Sequence, residues 1–325
     1  MFPTYRGKLE YVCLGCGKRY GIDELLYTCP SCGKVLLLED VNRGQLKELG
    51  SGEYWRGVFD QRAATRETAL RGIFRYYELL APVMDPQDIV YLGEGHTPVV
   101  EGAKALQEHL GAHFMYKNDG QNPSASFKDR GMACAFSYLR YLVRSQGWKE
   151  ILGICASTGD TSAAAAMYGA YVGDPIKTAV LLPQGKVTPQ QLSQPLGNGA
   201  MVMEIPGVFD DCMKVVEILA ENYRVALLNS KNSWRILGQE SYDLESLFAA
   251  SFDETLGQFL YAREGDGIAD HGCLCHAGTH GDGLVATAGF RLGIVAPDRI
   301  GMLGLHADDM RHLADDAQPV HLQAA

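Results

Sequence analysis

A chain of 325 residues, 46% of them hydrophobic, is long enough for two domains of ordinary size and rich enough in apolar material for a substantial core, which excludes wholesale disorder. Its formal net charge of −10 argues against nucleic acid or an anionic membrane surface as the main partner. No stretch approaches the roughly 18 apolar residues of a membrane-spanning helix, and the opening MFPTYRGKLEYVC has no apolar secretory core, so the cytoplasm is the expected compartment.

The first motif along the chain is a pair of CxxC turns, Cys13 and Cys16 in CLGC and Cys29 and Cys32 in CPSC. In a reducing compartment such pairs are better read as metal ligands than as disulfides. Two knuckles bring four sulfurs together, which suits the tetrahedral preference of zinc. The 12-residue spacer accommodates a short hairpin, and Gly17 and Gly33 follow each pair where the backbone must be permissive. Residues 1–40 therefore read as a small zinc ribbon, against the plainer alternatives of two disulfides or four free thiols. A four-cysteine site has no open position, so the expected role is structural, with zinc supplying on the order of 10–16 kcal/mol of folding energy.

From about residue 54 to 85 the chain reads as helical, anchored by Tyr54, Trp55, Phe59, Phe74, Tyr76 and Tyr77. LGEGHTP, Leu92 to Pro98, is a glycine-rich turn, and HFMYK, His113 to Lys117, a short strand. From Phe127 to Gly147 apolar residues recur at three- and four-residue steps, the period of a helix. EILGICA (150–156) is a buried strand, and STGDTSAAAAMYGAY (157–171) a polar loop that opens an alanine-rich helix. TAVLLP, AMVMEIP and RVALLN read as further strands, with VFDDCMKVVEILAEN a helix carrying Asp210 and Asp211 in its first turn. Strands alternating with helices predict an α/β fold with a parallel sheet, and ligands at the C-terminal strand ends.

Three loops carry chemistry. NPSASFKDRG places Lys128 at a helix start behind the small residues Ser124, Ala125 and Ser126, where a partly desolvated amine becomes a nucleophile. The bland reading is a helix-start lysine paired with Asp129. STGDTS offers hydroxyls and backbone N–H groups to an anion, or else Asp160 or Thr161 merely caps the helix. NSKNSWR puts Asn229, Ser230, Asn232 and Arg235 where they converge on an anion, or else forms an N-cap with a surface arginine.

Taken together, NPSASFKDRG, LGEGHTP, ASTGDTSAAAA and NSKNSWRILGQES resemble the pyridoxal-phosphate enzymes of fold type II, the tryptophan-synthase-β type, and among them the threonine synthase family; some members also carry an N-terminal zinc-ribbon-like segment. The resemblance spans roughly residues 1–242, with 41–242 as the enzyme core. It implies that Lys128 forms the Schiff base with pyridoxal phosphate and shuttles protons, with Phe127 and Asn122 beside the cofactor. Asp160 stands where relatives have an asparagine near the cofactor's 3-hydroxyl, a donation that Asp cannot make. Ser157, Thr158 and Thr161 would hold the substrate carboxylate, and Asn229, Ser230 and Arg235 its phosphate. The implied reaction converts O-phospho-L-homoserine and water to L-threonine and phosphate, with a homodimer as the assembly to expect.

After Tyr242 the family pattern fades, and residues 243–325 form a divergent segment. GTHGDG (278–283) and AGFRLGIV (288–295) are distant stand-ins for a phosphate-gripping loop and its helix, and a truncated or frameshifted C-terminal part is one expectation. The tail residues His271, Cys273, Cys275, His276 and His280 read either as a second metal site or as irregular chain. The rival functions are a related enzyme on another phosphorylated amino acid, such as a cysteate synthase, a non-catalytic relative, and a zinc-ribbon nucleic-acid binder.

Overall fold

A computed structural model describes residues 2–111 and 115–249. Two compact units divide the chain, one of Met1–Thr97 with Asp119–Val285, the other of Pro98–Asn118 with Ala286–Ala325. Among the described residues no helix is long and apolar enough to cross a membrane.

The larger unit begins with a three-stranded antiparallel sheet of β1 (Leu9–Cys13), β2 (Arg19–Gly21) and β3 (Leu36–Asp40), in the order β2-β1-β3. Leu9, Tyr11 and Cys13 alternate inward along β1, the period-two pattern of a strand with one buried face. Two short helices follow, α1 (Gly44–Leu49) and α2 (Gly52–Ala63). Ser51 caps α2 by accepting from the Tyr54 N–H, and Trp55 and Phe59, four residues apart, bury one face.

The sequence expects helix to continue to residue 85. Instead α2 stops at Ala63, and two 3₁₀ turns (Thr68–Leu70 and Gly72–Tyr76) lead into a single turn, α3 (Tyr77–Leu80). Gly72, at φ +56, keeps the two 3₁₀ turns from joining into one helix, and a Cβ there would sit 2.5 Å from the Tyr91 ring. The segment is also buried nearly all round, so it lacks the polar stripe of a surface helix.

The smaller unit contains β4 (Val99–Glu101), α4 (Lys104–Leu110) and β5 (Met115–Lys117), with β4 and β5 antiparallel. The expected strand at 113–117 is thus seen from Met115; its first two residues lie outside the described residues.

The rest of the larger unit is an α/β layer structure. Its elements are α5 (Lys128–Gln146), β6 (Ile151–Ala156), α6 (Asp160–Val172), β7 (Ile176–Pro183), α7 (Pro189–Gly197), β8 (Met201–Ile205), α8 (Phe209–Asn222), β9 (Val225–Leu227), α9 (Ser233–Gln239) and α10 (Ser241–Ala249). The four strands are parallel, in the order β8-β7-β6-β9. Ile154 and Ala156 pack with Cys212 and Val216 of α8, while Cys155 lies in the cluster that holds Ala164 and Tyr168 of α6. Alternate residues of one strand therefore face helices on opposite sides, as in a doubly covered parallel sheet. The chain steps outward from β6 to β7 to β8, then returns to place β9 on the other side of β6. That reversal opens a crevice at the C-terminal ends of β6 and β9.

Two docking contacts shape what surrounds the crevice. Helix α5 meets α9 at glycines: a Cβ on Gly238 would lie 2.6 Å from the Cys134 Cβ, and one on Gly131 would lie 3.0 Å from the Arg235 carbonyl oxygen. The cysteine-bearing sheet docks on the same helices. Trp234 of α9 stacks on Tyr138 of α5 at 4.1 Å and donates its indole N–H to the Tyr11 hydroxyl at 3.0 Å. Ser233 donates to the Leu36 carbonyl at 2.7 Å, and Tyr138 to that of Ile22 at 2.6 Å.

Candidate functional site

Lys128 is the first residue of α5 and is half-buried. Its Nζ lies 4.0 Å from the centre of the Phe127 ring, a cation–π contact. The loop before it is compact because Ala125 adopts φ +60. Ser126 Oγ accepts from the Lys128 N–H at 3.2 Å and donates to Asp160 Oδ2 at 3.1 Å. Asp129, fully buried, accepts from both the N–H and the hydroxyl of Ser124, at 2.7 and 2.6 Å. Burial pushes the Asp129 carboxyl up to about 6 even though the Ser124 donors oppose it. Asn122, also buried, accepts from the Gly95 N–H at 2.9 Å and donates to the Asp119 carbonyl at 2.9 Å.

The second loop leaves β6. Ser157 Oγ accepts from the Gly159 N–H at 3.2 Å, and the Ser162 hydroxyl donates back to the Gly159 carbonyl at 2.6 Å. Gly159 is the residue that precedes α6, so no side chain at the cap position covers the helix start. A Cβ on Gly159 would meet nothing within 4 Å, so its backbone faces open space. Thr158 and Thr161 are half-buried and Asp160 is exposed. The first N–H groups of a helix and its dipole together favour an anion here. Asp160 is the first helical residue and takes the Ser126 hydroxyl, which joins this loop to the lysine loop.

The third loop leaves β9. The Asn229 side chain closes on the backbone of Ala156, accepting from its N–H at 3.0 Å and donating to its carbonyl at 2.8 Å. That bond extends the β6–β9 pairing to the edge of the crevice. Asn232 caps α9 by accepting from the N–H groups of Trp234 and Arg235. Ser230 is exposed, whereas Arg235 is 2% exposed and donates to the Leu228 carbonyl at 2.7 Å. Burial draws the Arg235 guanidinium down to about 10. The structure thus brings Asn122, Phe127, Lys128, Asp160 and Asn229 onto one connected framework, with Ser157, Thr158, Thr161 and Ser230 at the same strand ends. The Arg235 side chain lies inside, behind the loop.

Two features are not read from the sequence. Glu94 is fully buried between Gly93 (φ +112) and Gly95 (φ +82). Its Oε2 accepts from the Tyr168 hydroxyl at 2.7 Å and the Leu92 N–H at 2.9 Å. Burial, aided by the nearby Asp129 charge, pushes it up to about 8. An acid between two glycines is the available signal. The second feature is a buried network around Arg130. Arg130 bonds Asp119 through Nε (2.8 Å) and Nη2 (3.0 Å), and Glu245 through Nη1 and Nη2 (2.8 Å each). Thr97 and Ser241 accept from the same guanidinium at 3.0 and 3.1 Å. Glu245 lies past the last motif and has no local signal.

The four N-terminal cysteines converge. All four sulfurs lie within 4.8 Å of one another, with Cys13 to Cys32 at 3.4 Å and Cys16 to Cys29 at 3.6 Å. Tetrahedral zinc with four thiolates places sulfurs about 3.8 Å apart, so the donor set fits. Burial resists ionisation of Cys29, but the Tyr20 hydroxyl and the N–H groups of Ser31 and Cys32 outweigh it and draw the thiol down to about 6. The stand-in loops at 278–295 and the histidine–cysteine tail lie outside the described residues.

The profile of the family described as "Pyridoxal-phosphate dependent enzyme" matches residues 90–315. The chain is 39% identical over 234 residues to a threonine synthase of Methanocaldococcus jannaschii, covering 72% of this chain and 52% of the relative. It is 36% identical over 234 residues to that of Methanosarcina acetivorans, again 72% of this chain and 51% of the relative. Among solved structures, threonine synthase from yeast aligns with a TM-score of 0.48 at 20% identity, over 79% of this chain and 56% of that one. The chain spans about half the length of the curated relatives it matches.

Proposed function

We propose, because the chain belongs to the pyridoxal-phosphate-dependent enzyme family, that it acts as a threonine synthase on O-phospho-L-homoserine and water, releasing L-threonine and phosphate. One observation carries the reading: Ser126 links the lysine loop to Asp160 at the start of α6, so the cofactor anchor and an anion-binding helix end belong to one framework. That arrangement suits an amino-acid substrate, with its amine at the cofactor and its carboxylate at the start of α6.

The residues present fit the cofactor. A half-buried lysine follows a loop of small residues, an aromatic ring lies beside it, and the Gly159 backbone of the neighbouring loop is open to close approach. Pyridoxal phosphate supplies an electron sink for charge that develops at the substrate Cα. Lys128 would hold it through the ε-amine, then carry protons at Cα and Cβ. Phe127 and Asn122 shape that pocket wall. Asp160, an acceptor, orients the Ser126 hydroxyl and through it the start of α5. Ser157, Thr158 and Thr161 would bind the substrate carboxylate with hydroxyls and N–H groups. Ser230 would offer its exposed hydroxyl to the phosphate, with Asn229 fixing the loop and Arg235 adding positive charge from inside. The four thiolates would hold a structural zinc ion, and the free thiols among the described residues suit a reducing cytoplasm.

The test is product analysis with purified protein and added cofactor. Phosphate and threonine should appear from O-phospho-L-homoserine, with no phosphate from O-phospho-L-serine. Lys128→Ala should lose both turnover and the visible absorption of the bound cofactor. A protein that stays colourless with pyridoxal phosphate overturns the reading, and release from O-phospho-L-serine alone reassigns the substrate.

A further inference from the structure

The turn that carries Glu94 and His96 is fastened to the lysine segment from both sides. Gly95 donates its N–H to Asn122 Oδ1 at 2.9 Å, ahead of Lys128 in the chain. Thr97 donates to Asp119 Oδ1 at 2.5 Å and accepts from Arg130 Nη2 at 3.0 Å. Between them His96 holds φ +53, in the left-handed region that few non-glycine residues adopt. Its N–H is donated to Glu245 Oε1 at 2.7 Å, while its ring Nδ1 lies 2.8 Å from Arg75 Nη1. The same oxygen accepts from Arg130 Nη1, and Oε2 accepts from Nη2, at 2.8 Å each. Arg130 is wholly buried and stands two residues after Lys128. These contacts and the chain between Asn122 and Arg130 close a ring: Glu245, His96, Gly95, Asn122, Lys128, Arg130 and back to Glu245.

We propose that Glu245 is a positioning residue for the lysine loop, its carboxylate latching the Leu92–Thr97 turn onto the start of α5. With the latch made, the Gly95 N–H is held against Asn122, and the loop between Asn122 and Lys128 has one arrangement. With it broken, the turn lifts, Asn122 loses a donor, and the lysine loop relaxes. The consequence for a ligand at Lys128 rests on the function proposed above; the latch itself does not.

Two variants and a control separate positioning from general support. Glu245→Ala removes the acceptor for His96 and the counter-charge for Arg130. Glu245→Gln keeps an oxygen for His96 but not the charge. Ser241→Ala removes another Arg130 partner, whose hydroxyl bonds Arg130 and the Gly238 carbonyl. Hydrogen exchange at the Gly95 and His96 amides should quicken about tenfold in Glu245→Ala, less in Glu245→Gln, and stay at the wild-type rate in Ser241→Ala. Pyridoxal phosphate affinity, titrated by absorbance, should weaken in the same order, by about tenfold in Glu245→Ala. Unchanged amide exchange in Glu245→Ala overturns the latch, and faster exchange with unchanged cofactor affinity overturns its positioning role. Should Glu245→Ala fail to fold, Glu245→Gln against Ser241→Ala carries the same comparison. If wild-type protein takes up no pyridoxal phosphate, the proposed function falls, while the exchange comparison still decides the latch.

Discussion

Glu94 shows how a single side chain sets a pH dependence. Its carboxyl, ordinarily ionising at 4.5, is pushed up to about 8 in the fold, chiefly by burial. The folded state therefore favours the neutral form, so its contribution to stability is full below about 4.5 and lost as pH rises through about 8. The melting temperature of wild type should fall relative to that of Glu94→Gln as pH is raised across that window, and parallel curves would count against the buried neutral acid. Ala125, at φ +60, is the other residue under conformational demand. Ala125→Gly should raise stability by up to about 1 kcal/mol in denaturant melts if relief of the left-handed strain outweighs the added freedom of the unfolded chain. A loss of stability would instead show that the added freedom of the unfolded chain outweighs the strain relieved. At this scale the place of Lys128 at a helix start was legible, because a polar loop of small residues gives way there to an amphipathic run. The burial of Arg235 was not: an arginine after a polar loop reads as a surface cation, and only the Leu228 carbonyl, brought in by the fold, draws it inward.

Among the elements, the α5–α9 crossing governs where Lys128 stands. Gly131 and Gly238 let the two helices approach, and a Cβ on Gly238 would clash with the Cys134 Cβ at 2.6 Å. Gly238→Ala should cost about 1–3 kcal/mol of stability, measured by urea unfolding, since neither backbone has room to yield. A variant as stable as wild type would mean that the crossing is slack. The parallel sheet was legible because buried strands alternated with amphipathic helices, and that alternation admits few topologies. The stretch from 54 to 85 was not, because aromatic anchors at helical spacing gave no hint of the left-handed Gly72 that keeps its two 3₁₀ turns apart. Helix α7 gives a weaker signal in the sequence. Its signal was Thr188 with Gln191 three residues on and Pro189 between, a capping box hidden in a polar stretch.

Across the whole larger unit, the cysteine-bearing sheet and the lysine helix share one support, Trp234 with Tyr138 and Tyr11. Removing metal with a chelator, or one ligand with Cys29→Ser, should therefore reach well beyond residue 40. The expected result is a loss of several kcal/mol in stability with a red shift of Trp234 emission, read in protein whose Trp55 and Trp148 are replaced by Phe. Unaltered emission and melting after metal removal would sink the structural-zinc reading. The cysteine spacing announced the cluster in the sequence; its docking did not show, because the partners lie far along the chain. That distance also imposes a schedule. On the ribosome, at 5–20 residues per second, Trp234 follows Cys32 by roughly 200 residues, or about 10–40 s. Through that interval the nascent four-thiol segment has no α9 to rest on, although α5 is complete about halfway through it. Early capture of the metal would shield the thiols from oxidants and wrong partners until synthesis reaches the tryptophan.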